Sequence, residues 1–287
     1  MEGKSPILQK YYQSLCTSCG VCVAACPNGA LKMSILKNSK LMPVQVEEVK
    51  CKGCGLCTEV CAGVKLSVDN EFNYQQYQDF IIGNCLKAFI GHSEDTEVRK
   101  NAASGGVTTA ILIGLIEKNI IDGALVTVPK KKDPFICKTI LARTVDDILL
   151  SQKSRYTQVD YSEGLKELAE AEKGRFAIVG LPCHIASIEK WLRISRTLKN
   201  KIYLRIGLFC SRSATTEFPK FVAQSMRIDI TKVREIDYKS GDWDEMGFEF
   251  FGDFGKRWMK FNGTIIGGIW NNYFFCPRRC LLCNDGF

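Results

Sequence analysis

Cys16-x2-Cys19-x2-Cys22-x3-Cys26-Pro27 recurs thirty-five residues later as Cys51-x2-Cys54-x2-Cys57-x3-Cys61. Three thiolates at this spacing wrap three corners of a 4Fe–4S cube, and the fourth Cys of each run is carried away to ligate the other cube. One cube is therefore expected on Cys16, Cys19, Cys22 and Cys61, and a second on Cys51, Cys54, Cys57 and Cys26. A zinc knuckle takes two thiolates from a Cys-x2-Cys and two from a distant segment, which leaves the middle Cys of each triplet without a task. The chemistry implied is one-electron transfer. Ala62 departs from the pattern, because Pro often follows the fourth Cys.

The elements that position these thiols must fit within 287 residues, enough for one small and one medium domain, each with its own core. Fifteen Cys would suit a disulfide scaffold in a short secreted chain, but eight of them already belong to the two runs. That points to a reducing, cytoplasmic setting. Met1 to Leu15 holds no apolar core of a signal peptide, and no apolar run is long enough for a membrane span. The formal charge of +8 does not call for nucleic acid, since each cube with its four thiolates adds about −2. Lys130-Lys131-Lys132, ahead of Asp133-Pro134, reads as a solvated loop.

Short extended pieces such as Leu41 to Val49 separate the Cys runs. Residues 69–98 are polar and aromatic with no clear period, and read as a connector draped over the next domain. Ser104-Gly105-Gly106 then opens an apolar helical stretch to Lys118, with a buried run at Ala110 to Ile116, and Ile120 to Val128 follows as a strand. Arg175 to Leu181 reads as a buried strand, His184 to Ile194 as a helix with Ile185, Ile188, Trp191 and Leu192 on one face, and Lys201 to Phe209 as another strand. If the two strands are parallel, Cys183 and Cys210 emerge at one carboxyl edge, where open α/β sheets hold ligands. Ile236 to Gly268 reads as hairpins.

Cys276-x3-Cys280-x2-Cys283 closes the sequence and suits a third metal centre, with Cys183 and Cys210 as distant partners. Five thiols thus compete for four places. Cys85 and Cys137 have no motif around them and read as small core residues.

Ala103-Ser104-Gly105-Gly106-Val107-Thr108-Thr109-Ala110, Ile120-Ile121-Asp122-Gly123-Ala124, Ser154-Arg155-Tyr156, Val179-Gly180-Leu181-Pro182-Cys183, Gly207-Leu208-Phe209-Cys210 and Cys280-Leu281-Leu282-Cys283-Asn284-Asp285 together resemble the family of coenzyme F420 hydrogenase/dehydrogenase beta subunits. That family is one of FAD-containing iron–sulfur oxidoreductases. The resemblance implies an α+β dicluster ferredoxin-like domain (1–68), a connector (69–98) and an α/β flavin domain with a partly parallel sheet (99–287). It selects Cys183, Cys210, Cys280 and Cys283 for the third cluster and leaves Cys276 spare. His184 stands where the family commonly has Gln. Family members continue past the final Cys-x2-Cys, so the sequence is expected to be a fragment.

Ser104, Gly105 and Gly106 are expected to receive the FAD pyrophosphate, because bare backbone at a helix start lets an anion approach the positive dipole end. Arg155 and Tyr156 are expected at the flavin phosphate and ring. The implied activity is hydride exchange between reduced deazaflavin and FAD, with electrons then carried singly by the clusters to a redox partner protein or subunit. A reductase of another organic substrate and a relay with no substrate of its own are the alternatives. With two His residues and no paired-carboxylate motif, no acid/base residue is nominated.

Overall fold

The computed structural model describes residues 5–9, 13–36, 40–49, 51–64, 85–241 and 243–283. Each Cys run turns on a glycine in the left-handed region. Gly20 (φ 73°) precedes helix α1 (Val21–Ala24), and Gly55 (φ 76°) precedes α2 (Leu56–Glu59). L side chains resist that backbone, so a glycine at the same place in both runs lets a loop with two thiols turn into a helix that carries the third. Strands β1 (Leu31–Ile35) and β2 (Leu41–Gln45) pair antiparallel between the runs.

The larger part begins with α3 (Thr96–Lys100), whose first N–H groups bond the Asp95 carboxylate, and α4 (Val107–Glu117), which starts from Gly106 at φ 74°. A hairpin follows, β3 (Gly123–Lys130) and β4 (Asp133–Ala142), then α5 (Val145–Leu149), β5 (Val159–Asp160) and α6 (Ser162–Glu170). Next come β6 (Phe176–Gly180), α7 (Pro182–Ile194), α8 (Arg196–Lys201) and β7 (Ile202–Gly207). The strands form a mixed sheet in the order β5-β4-β3-β6-β7, with β3, β6 and β7 mutually parallel and β4 antiparallel to β3. Helix α9 (Glu217–Ser225), an antiparallel sheet of β8 (Val233–Ser240), β9 (Gly247–Gly252) and β10 (Gly255–Lys260), and α10 (Ile265–Asn271) follow, and a 3-10 turn at Arg278–Leu282 carries Cys280.

Period-two alternation divides the central strands between two layers. Leu125, Phe176 and Ile178 face one side, while Ala124, Val126, Ala177 and Val179 face the other, beneath Leu112 of α4. The first layer runs on without a break into Val21, Val23 and Val60 of the Cys repeat. The expectation of two separate cores is therefore corrected: a small repeat built around metal clusters has too few apolar residues to close its own interior, and it shares that of the sheet. Its first half docks through the turn at Gly20, while the end of the second run meets α7. A Cβ on Gly20 would lie 2.5 Å from Asp160 Oδ1, the Tyr161 N–H donates to the Cys19 carbonyl at 2.9 Å, and Gln158 accepts from the Leu41 N–H at 3.0 Å while donating to the Ser18 hydroxyl. Around Gly55 the nearest such neighbour is the Thr58 hydroxyl of its own helix.

Other readings also change. Much of the connector, 65–84, lies outside the described residues, and in the part that is described Leu86, Phe89 and Ile90 are exposed rather than draped on a surface. Its end is the helix α3. Residues at the end of the expected hairpins form α10 instead, and Lys201 closes a helix rather than opening a strand. Lys130, Lys131 and Lys132 are exposed at the β3–β4 turn, as a solvated loop would be.

Candidate metal centres

Cys16, Cys19, Cys22 and Cys61 line one cavity, together with Ile7, Gln13, Thr17, Gly20 and Pro43. The fourth thiol thus arrives from the second run, as the exchange of ligands between cubes requires. Burial pushes the Cys16 thiol up to about 12 and the Cys61 thiol up to about 11, in each case with the Cys19 sulfur adding repulsion. Burial raises Cys22 as well, and thiols disfavoured as bare anions in this way fit a cationic iron core at their centre. The Ser18 N–H points to Cys16 Sγ at 3.3 Å, and the N–H groups of Gly63 and Val64 bond Cys61.

For the second set, Cys57 is buried in α2, Cys26 and Cys51 are half-buried, and Cys54 is exposed beside Lys52 and Gly53. The Gly53 N–H points to Cys51 Sγ at 3.4 Å, matching the bond from Ser18 in the first run, and the Ser5 hydroxyl lies 3.3 Å from Cys57 Sγ. This half faces outward. Among the described residues no three His, Cys, Asp or Glu side chains gather to hold a single metal ion; the thiols of the first set surround a space instead.

The third group forms at the carboxyl edge of the parallel strands. Gly180 of β6 and Gly207 of β7 are register partners, the Leu208 N–H extends the pairing to the Gly180 carbonyl at 2.9 Å, and Cys183 and Cys210 lie three residues beyond the two glycines. They line a cavity with Cys280 and Cys283, and Cys276 is not among its lining residues. Burial raises Cys183 well above the usual thiol range and Cys210 to about 11. Cys276 is hydrogen-bonded to Cys280, which holds the Cys280 thiol below the usual range. Arg212 and Arg279 line the same cavity, each with a buried Nε that has no partner among the described residues. Cationic donors around four thiols suit a centre of net negative charge.

Both parts of the chain are matched by known families. Residues 15–63 match a 4Fe-4S dicluster domain, residues 88–166 match the N-terminal part of the coenzyme F420 hydrogenase/dehydrogenase beta subunit, and residues 173–287 match its C-terminal part. The chain belongs to this family of beta subunits. The family is one of oxidoreductases. Among the relatives, the coenzyme F420-dependent sulfite reductase of Methanocaldococcus jannaschii is 30% identical over 79% of the chain and 35% of its own length. An F(420)H(2) dehydrogenase subunit of Methanosarcina mazei is 27% identical over 82% of the chain and 65% of its own length. The chain therefore spans between about a third and two thirds of these relatives. A chain from the F420-reducing NiFe hydrogenase complex of Methanosarcina barkeri superposes with a TM-score of 0.51 and 20% identity, over 68% of this chain and 64% of that one, a likeness of fold.

The segments expected at the flavin come near one another in this beta-subunit chain. The Val98 carbonyl joins the two segments, accepting from Gln152 Nε2 at 3.0 Å and lying 3.2 Å from where a Cβ of Gly106 would stand. Gly106 caps α4 with no side-chain acceptor, so the dipole end is open to an anion, and Ser104 is exposed. Gly105 serves a different purpose from the expected one: a Cβ there would stand 2.8 Å from the Gly91 carbonyl oxygen, and its own carbonyl accepts from the Ser93 N–H. Arg155 has a buried Nε without a partner among the described residues, and fits a phosphate. The Tyr156 ring is engaged with Trp270 at 5.0 Å and Tyr238 at 6.2 Å, so less of it remains for a ligand than expected.

Cys137 is fully buried beneath Arg155, its thiol raised by burial to about 12, whereas Cys85 is exposed and the core reading of it is corrected. His184 is buried, its ring lies tilted 4.5 Å from that of Tyr161, and it accepts the Leu181 N–H on Nδ1 at 3.4 Å. Burial lowers it to about 4 and keeps it neutral. Sequence reasoning missed Thr17, Gln158 and Ser187, polar residues that join distant segments; the one available signal was that Thr17 lies inside the first Cys triplet.

Proposed function

We propose that the chain is a flavin- and iron–sulfur-dependent oxidoreductase subunit of a reducing, cytoplasmic compartment, passing electrons between reduced coenzyme F420 and a protein partner. The observation that carries this reading is the position of Thr17: it lines both the cavity of Cys16, Cys19, Cys22 and Cys61 and that of Cys183, Cys210, Cys280 and Cys283. The two thiol cavities thus share Thr17 as a common wall. When bound, FAD exchanges two electrons with an organic substrate and 4Fe–4S cubes carry them one at a time.

The residues of the chain arrange the rest. Arg155 and the open end of α4 would hold the flavin phosphates, while Cys183, Cys210, Cys280 and Cys283 would hold a third cube, with Arg212 and Arg279 offsetting its charge. The first half of the repeat would hold the cube next in line, and Cys51, Cys54, Cys57 and Cys26 the outermost one. Exposed Lys52, Gly53 and Cys54 make that last end the natural contact for a redox partner. In this division, 1–68 relays electrons, 99–287 receives them, and 69–98 connects the two.

Anaerobic reconstitution followed by iron, sulfide and flavin analysis tests the inventory. About twelve iron and one FAD per chain are expected from three four-iron cubes. About eight iron would remove the third cube, and tightly bound zinc without visible absorbance would overturn the reading altogether.

A further inference from the structure

Helix α7 reaches both thiol sets. Cys183 stands in its first turn, and Ser187 and Lys190 follow at i+4 and i+7, on one face. Ser187 is fully buried, its Oγ 3.8 Å from Cys19 Sγ, and the same oxygen accepts the Ala62 N–H at 2.9 Å. Lys190 Nζ donates to the Cys61 carbonyl at 2.9 Å, and its charge lowers the Cys61 thiol against the raising effect of burial.

The direction of the Ser187 hydrogen bond follows from the chemistry of the ligand. A cysteine that ligates iron has lost its proton, so between Cys19 and Ser187 only the hydroxyl has a hydrogen to give. The Ala62 N–H occupies a lone pair of Oγ and leaves the hydroxyl hydrogen for the sulfur. Ala62 is the position where Pro often follows the fourth Cys, and a Pro there has no N–H to offer. The departure noted in the sequence thus has a physical consequence.

We propose that Ser187, oriented by the Ala62 N–H, is a positioning residue that raises the reduction potential of the cube held by Cys16, Cys19, Cys22 and Cys61. A hydrogen bond to a ligand sulfur stabilises the added electron more than it stabilises the oxidised cube. The proposal rests on the ligand sets assigned above. Ser5 supplies an internal comparison, because its hydroxyl lies 3.3 Å from Cys57 Sγ of the other set. Each cube then has one hydroxyl of its own, one from the sheet domain and one from the N-terminal segment.

The test is a redox titration of the reconstituted protein, followed by electron paramagnetic resonance, with Ser187→Ala, Ser187→Thr and Ser5→Ala. Ser187→Ala is expected to keep its iron and to lower one cube's midpoint so that this cube is about tenfold less reduced at the wild-type midpoint, a shift of about 59 mV for one electron. Ser187→Thr, which keeps the hydroxyl, is expected to restore the wild-type value, and Ser5→Ala to lower the other cube. Unshifted midpoints in Ser187→Ala with full iron content would overturn the proposal. So would an equal shift of every cube, which is the mark of a general loosening. A wild-type protein that binds no cubes fails differently, and removes the ligand assignment beneath it.

Discussion

Cys183 and Cys210 stand the same three residues beyond Gly180 and Gly207, which face one another across the parallel strands β6 and β7. Equal offsets from a fixed register bring two thiols from distant stretches of sequence to one rim, where Cys280 and Cys283 join them. Cys183→Ser or Cys210→Ser is therefore expected to lose about four iron and the third cluster's paramagnetic signal. Cys276→Ser should keep both. Loss of that signal in Cys276→Ser with retention in Cys183→Ser would reverse the ligand set.

In the metal-free protein, Cys280 should be the reactive thiol of this group. Its hydrogen bond from Cys276 holds it below the usual thiol range, whereas burial raises Cys210, so alkylation of Cys280 should persist to lower pH than that of Cys210. Cys276→Ala removes the donor and should move the inflection upward. Mass-spectrometric mapping of alkylation against pH reads both, and equal reactivity of Cys280 and Cys210 at neutral pH would contradict the expectation.

Arg155→Gln is expected to weaken flavin binding while leaving iron unchanged. A charge-assisted hydrogen bond is worth roughly 1.5–3 kcal/mol, or roughly tenfold to hundredfold in affinity. Gly105→Val is a poorer probe of the same site, because a side chain there runs into the Gly91 carbonyl before it reaches any ligand. Titration of the apo-flavin protein with FAD measures the loss. Unaltered affinity in Arg155→Gln would place the phosphate elsewhere.

Gly20 and Gly55 occupy equivalent turns, yet only Gly20 abuts Asp160. Gly55→Ala should cost about 1–2 kcal/mol for its left-handed backbone alone. Gly20→Ala should cost clearly more, since the added methyl also pushes on the shared core. Thermal melting of the two holo-proteins compares them, and equal losses would show that the first half of the repeat is not held by the sheet.

What the sequence disclosed was what is local. The cube ligands are read from spacing because a single loop bends around each cluster, and the β6–α7–β7 unit is read because apolar periodicity switches from two to 3.6 and back. The joins were hidden for the opposite reason. Ser187 reaches Cys19, and Gln158 reaches Ser18 and Leu41, only after the repeat has docked on the sheet. Nothing in the composition around any of them marks that contact. Gly105 misled for a similar reason: its bareness is used by the chain's own Gly91 and His92, a neighbour that no local pattern announces. Leu86, Phe89 and Ile90 look like packing residues in sequence and are exposed in the fold.

The most direct test of electron flow through this chain is the anaerobic addition of reduced coenzyme F420 to the reconstituted protein, followed by flavin absorbance and electron paramagnetic resonance. The account predicts that the bound flavin bleaches and that reduced-cluster signals then appear, as they do with dithionite. Clusters that dithionite reduces but reduced F420 leaves oxidised, with the flavin unbleached, would contradict it.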